Sequence, residues 1–285
     1  MGTAERVRIA PVPAGSTTTT LPVAGTPAYL AIEHVAFRRF GAGPDLLLIG
    51  GEDMSMAQWD PAFLRLLAAH FTVVLFDLPG TGFSSGTGNA TLQSWADDTA
   101  GLILALGLTK PEVLGWGLGG DVALELAETH PSFLASLVLV DTPAGAPYGA
   151  PTPAPIEKSL QSRWLSEAGL ASIWFTPAHP AARADWLAGQ AEVLPDALTE
   201  RARLEQFAVA ASVQRSDALW SNLGSVNVPT LVLFGGADPI VPPSNARVLA
   251  DGISGARTLG FTHGDYAAIF ENEPAVASAV ESLAG

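Results

Sequence analysis

Val113-Leu114-Gly115-Trp116-Gly117-Leu118-Gly119-Gly120-Asp121-Val122 is the stretch on which the reading of this chain turns. A short apolar entry meets four glycines within six positions, and a helical segment over Val122–His130 follows at once. Strand, sharp turn and helix in so few residues need small side chains where the two backbones approach.

Outward from that turn, short apolar runs alternate with helical stretches. Leu46–Ile49 stops at Gly50-Gly51, Val73–Phe76 runs into Asp77-Leu78-Pro79-Gly80, and Leu137–Val140 ends at Asp141. Thr230–Phe234 stops at Gly235-Gly236, and Arg257–Phe261 precedes His263. Between them lie a helix with Trp59, Phe63, Leu66 and Leu67 on one face, a helix over Leu92–Leu106 and a last one over Ala275–Leu283. Continuously apolar strands separated by helices predict an α/β fold with a mostly parallel sheet buried on both faces. Functional residues then gather at the carboxyl ends of the strands.

The rhythm breaks from about Ala144 to Val226. This part opens on the Pro-rich Pro147–Pro155 and carries Trp164, Trp174, Trp186 and Trp220. The expected organisation is a flexible tail over 1–28, a core over 29–143 and 227–285, and a helical lid over 144–226. Singly, each tryptophan reads as an anchor of the lid; together they predict an apolar cavity wall and a small lipophilic partner.

Composition excludes several functions. With 14 basic against 28 acidic residues the net charge is −14, which repels nucleic acid. No uninterrupted apolar run is long enough to span a bilayer despite a mean hydropathy of +0.30. Without cysteine there is no thiolate chemistry. His34, His70, His130, His179 and His263 show no metal-binding spacing, so neither a metal nor a cofactor is expected. The Ser16–Thr20 run in the tail suits a tether ahead of an exported domain or a plain cytoplasmic N-terminus, and these stay open.

The turn at 115–120 resembles the nucleophile elbow G-x-S-x-G of the α/β-hydrolase fold superfamily, esterase- and lipase-like, with Gly117 in the serine position. The resemblance runs over about residues 29–285. It implies a catalytic acid in Gly235-Gly236-Ala237-Asp238-Pro239, hence Asp238, with Asp141 as the alternative. It implies a catalytic histidine after the last strand, hence His263, whereas His70 and His130 stand at helix ends. The oxyanion hole would be the N–H of Leu118 and an N–H in the Gly50-Gly51-Glu52 loop, and a Glu52 carboxylate turned inward would oppose an oxyanion. Asp77–Ser84 matches the loop that supports the elbow.

Glycine has no side chain to acylate, so the serine acyl-enzyme mechanism is closed to this chain. Three readings follow. An Asp238–His263 dyad works without serine on a small lipophilic substrate; a pseudo-hydrolase binds a small apolar ligand; or an ordinary serine esterase carries a Ser→Gly replacement at 117.

Overall fold

The computed structural model describes residues 30–32, 35–86, 90–161, 166–190 and 198–283; the proposed tail, His34 and Trp164 lie outside them. Eight strands form one sheet in the order β1-β2-β4-β3-β5-β6-β7-β8. These are β1 Leu30–Ile32, β2 Val35–Gly41, β3 Asp45–Ile49, β4 Thr72–Phe76, β5 Glu112–Trp116, β6 Ser136–Val140, β7 Thr230–Gly235 and β8 Arg257–Phe261. From β4 through β8 every pairing is parallel; β2 runs antiparallel to both β1 and β4.

The pleat accounts for the unbroken apolar runs. In β3, Leu47 and Ile49 enter one core while Leu46 and Leu48 enter the other. In β6, Leu137 and Leu139 face the first and Val138 and Val140 the second. A strand with a core on each face has no position for a polar side chain.

The first core is covered by α2 (Leu92–Ala105), α3 (Leu118–Thr129) and α9 (Ser244–Gly252), the second by α1 (Pro61–Ala68), α10 (Ala268–Glu271) and α11 (Glu273–Glu281). Leu66 departs from the expected face of α1 and is 36% exposed, one step round the helix from buried Phe63 and Leu67. α2 opens on a capping box: Thr91 Oγ1 accepts from Ser94 N–H and Ser94 Oγ accepts from Thr91 N–H, both at 3.0 Å. Thr91→Ala is expected to cost ~1 kcal/mol, read as a lower urea midpoint at unchanged slope.

Among the described residues five α-helices lie between β6 and β7: α4 Ala154–Leu160, α5 Glu167–Trp174, α6 Pro180–Gln190, α7 Glu200–Arg215 and α8 Ala218–Asn222. α7 is fastened over the strand ends by polar contacts. Gln206 Oε1 accepts from Asp53 N–H at 2.9 Å, its amide donates to Met54 O at 3.0 Å, and Arg203 pairs with Asp53 at 2.6 Å.

Among the described residues Trp174, Trp186 and Trp220 line neither the groove nor the small cavity, contrary to expectation. Trp174 and Trp186 are 1% and 0% exposed and pack edge-on with centroids 5.3 Å apart. Trp174 in turn meets Trp116 of β5 at 5.0 Å, while Trp220 packs on Tyr148. The Trp174 and Trp186 rings fill the space between helices and sheet. Among the described residues no helix is long and apolar enough to cross a membrane.

Candidate active site

Gly117 caps the start of α3 with φ 54° and ψ −121°, a backbone conformation that side chains strain to adopt. Its N–H donates to Val140 O at 2.9 Å, and its carbonyl accepts from Gly120 N–H at 2.9 Å and Asp121 N–H at 3.3 Å. The sharp bend therefore sits where the sequence puts it, at the carboxyl end of β5.

The side chain above this bend is Tyr266. A Cβ added to Gly117 would lie 2.0 Å from the Tyr266 hydroxyl oxygen. Tyr266 is 3% exposed and stacks on Trp116 at 4.8 Å, and Trp116 Nε1 donates to Tyr266 O at 3.1 Å. Burial, together with the carboxyls of Glu52, Asp238, Asp141 and Asp121, pushes its phenol well above the ordinary range, so the hydroxyl keeps its proton.

His263 is not there. Its side chain is exposed and makes no hydrogen bond among the described residues, so the expected Asp238–His263 dyad does not form. The cause is the path of the loop after β8. Gly236 N–H donates to Phe261 O at 2.8 Å and Ala237 N–H to Gly264 O at 2.9 Å, holding that loop against the end of β7. Gly235 permits this approach, since a Cβ there would lie 2.1 Å from Asp265 O. A loop pressed down at 261–265 turns residue 263 outward, and the next side chain over the elbow is that of residue 266.

Asp238 is buried, 6% exposed, and its Oδ1 accepts from Ile240 N–H at 2.7 Å and Val241 N–H at 3.0 Å. Its side-chain partner is Asp141, whose Oδ1 accepts from Gly235 N–H at 2.8 Å. The two positions weighed as alternatives for the acid thus form one carboxyl–carboxyl pair. Burial pushes both up, Asp238 to about 8 despite its backbone donors.

Glu52 points inward. With Gly117, Leu118, Asp121, Ile240 and Tyr266 it lines a cavity of about 10 Å³, room for the centre of a single water. Burial raises its carboxyl to about 8, helped by Asp53 and Glu157. Asp121, in the first turn of α3, is buried with neither carboxyl oxygen hydrogen-bonded, and burial followed by Glu52 lifts it well above the usual carboxylate range. Among the described residues the backbone N–H groups of Glu52 and Leu118 have no backbone acceptor outside the helices and strands.

The loop at 77–84 does what was expected of it. Asp77 accepts from Met56 N–H at 2.6 Å and Phe83 N–H at 2.8 Å, bracing the region beside the elbow. His70 and His130 contact Glu281 and Asp97 at helix ends.

The bend at Gly117 thus lies beneath a phenol that keeps its proton and beside carboxyls that burial pushes up, and Gly117 itself offers no side chain to acylate. Gly117, Leu118 and Glu52, singled out from the sequence, line one small cavity with Tyr266 and Asp121, which the sequence reading did not name. The available signal was Gly235-Gly236, which marks a close backbone approach and so a loop whose first side chain faces out.

Comparison with known proteins agrees with this geometry at the level of the fold. The family profile described as alpha/beta hydrolase fold matches residues 44–273. A pimeloyl-[acyl-carrier protein] methyl ester esterase of Aeromonas salmonicida is 41% identical over 107 residues, 37% of this chain and 41% of that protein. The chain thus spans about two-fifths of the length of that relative, while its counterpart in Vibrio atlanticus aligns at 28% identity over 86% of this chain and 95% of its own. Among solved structures, a hydrolase from Pseudomonas aeruginosa superposes with a TM-score of 0.75 at 29% identity, covering 92% of this chain and 99% of that one. With its elbow at 117, its parallel sheet and these matches, this chain belongs to the alpha/beta hydrolase fold family.

Proposed function

We propose that this protein is a non-hydrolysing member of its family, in which the acyl-transfer chamber has become a closed polar plug. One observation carries the reading: the Tyr266 hydroxyl stands 2.0 Å from where a side chain at 117 would begin. Gly117 and Tyr266 are therefore a matched pair, and a serine at 117 is incompatible with this tyrosine. That speaks against a serine esterase altered at one position. Among the described residues no imidazole hydrogen-bonds Asp238, which leaves a serine-independent dyad there without its base. A cavity of about 10 Å³ is too small for a lipophilic ligand, so any ligand role at the elbow requires Tyr266 and α7 to move together.

The test is hydrolysis of short- and medium-chain aryl esters by the parent, by Tyr266→Phe and by Asp238→Asn. No turnover above the buffer rate is expected from any of the three. Turnover by the parent that either substitution abolishes would overturn the proposal.

A further inference from the structure

A second cluster of titratable groups lies outside the elbow. His179 precedes α6, Asp265 sits in the loop after β8 and Glu271 ends α10; one ligand atom from each lies within 4.8 Å of the others. Asp265 is fully buried and the Glu271 side chain is 1% exposed. Thr176 N–H donates to Asp265 Oδ2, and Asp265 N–H donates to Glu271 Oε2 at 3.1 Å. The remaining oxygens, Asp265 Oδ1 and Glu271 Oε1, are buried with no hydrogen-bond partner. Two adjacent buried carboxyls with orphaned oxygens demand a compensating positive charge or a proton.

We propose that His179, Asp265 and Glu271 form a binding site for a divalent transition-metal ion. One imidazole nitrogen with two carboxylates suits Zn²⁺, Mn²⁺ or Co²⁺, whereas Mg²⁺ and Ca²⁺ prefer oxygen alone. A divalent ion cancels both carboxylate charges and gives the orphaned oxygens a partner. His179 Nε2 lies 2.6 Å from His263 O and 3.8 Å from Glu271 Oε2. The ion takes the place of the ring proton on that nitrogen, with the His263 carbonyl in reach as a further oxygen ligand. Closing the set around the ion needs side-chain shifts on the order of 1 Å.

The site is reachable. The His179 side chain is 26% exposed, and it and Glu271 line a groove of about 680 Å³ that also holds Asp60, Arg65 and Asp185. A coordination position left open by the protein faces that groove. The ion also ties the segment before α6 to the core loop carrying Asp265, so binding stabilises the fold by mass action.

The test uses the full chain after chelator treatment, titrated with Co²⁺ by visible absorption and with Zn²⁺ and Mn²⁺ by calorimetry. One saturable site is expected, with a rise in melting temperature. His179→Ala and Glu271→Gln each weaken binding at least ~10-fold, while Asp251→Asn, on an exposed turn of α9, leaves it unchanged. Should Glu271→Gln fail to fold, His179→Ala, altering a partly exposed side chain, gives the same readout. Absence of saturable binding, or binding indifferent to both substitutions, overturns the proposal.

Discussion

Gly117→Ser is expected to lower stability by about 2–5 kcal/mol and to yield no esterase. The new Cβ arrives 2.0 Å from the Tyr266 hydroxyl, and that ring cannot swing away. Trp116 stacks on one side at 4.8 Å, and Trp174 lies 6.2 Å away. The positive φ at 117 adds strain that only glycine avoids. Removing the hydroxyl is the remedy. With Tyr266→Phe the next atom, Cζ, stands 3.2 Å from the added Cβ, a contact that relaxes by a few tenths of an ångström. Urea melts of the two single variants and the double variant measure this as a coupling energy, with the double losing less than the sum. The pair Gly117→Ser with Tyr266→His goes further, placing a hydroxyl beside an imidazole near Asp238. An aryl esterase rate should emerge in that double variant and in neither single one. A Gly117→Ser protein as stable as the parent and active on its own would refute the matched-pair account.

The second large effect is pH dependence of stability with an unusual sign. Glu52, Asp121, Asp141 and Asp238 at the elbow, and several carboxyls elsewhere, are pushed up rather than down. Glu52 and Asp238 rise to about 8, Glu128 on α3 to about 8, and Glu112 at the start of β5 to about 7, each chiefly through burial. In the unfolded chain such groups ionise near 4 to 4.5, so between that range and pH 8 the folded state binds more protons. Stability is then greatest at the acid end and is lost as pH climbs toward 8. The net charge of −14 acts in the same direction through self-repulsion. Melting temperature is expected to fall by on the order of 10 °C from pH 5.5 to 8.5. Glu112→Gln should flatten part of that slope: the residue is 4% exposed, and only its Oε2 has a partner, Ser136 Oγ at 2.6 Å. A melting temperature that is constant or rises over this range would show that these carboxyls are ionised in the folded protein.

Most of the architecture was written locally. Runs such as Leu46–Ile49 and Leu137–Val140 admit no polar residue, which only a strand with a core on each face requires. The glycines at 115–120 announced a bend, and the bend is at 117. Asp238 was legible because its carboxylate is held by the N–H groups of its own turn, Ile240 and Val241. Asp141, left as an alternative, turned out to be its partner, a relation between two strand ends that neither segment encodes.

What tertiary structure alone decided was which side chain stands over the elbow. His263 and Tyr266 are three positions apart in one loop, and either could face the bend. The choice follows from how closely that loop lies on Gly235-Gly236, a contact between segments some thirty residues apart. The lid tryptophans divide in the same way: their number was plain in the sequence, but whether rings enclose space or fill it depends on how near the helices come to the sheet. Hydrophobic pattern fixes which residues are inside; the spacing between packed elements fixes whether a chamber is left among them.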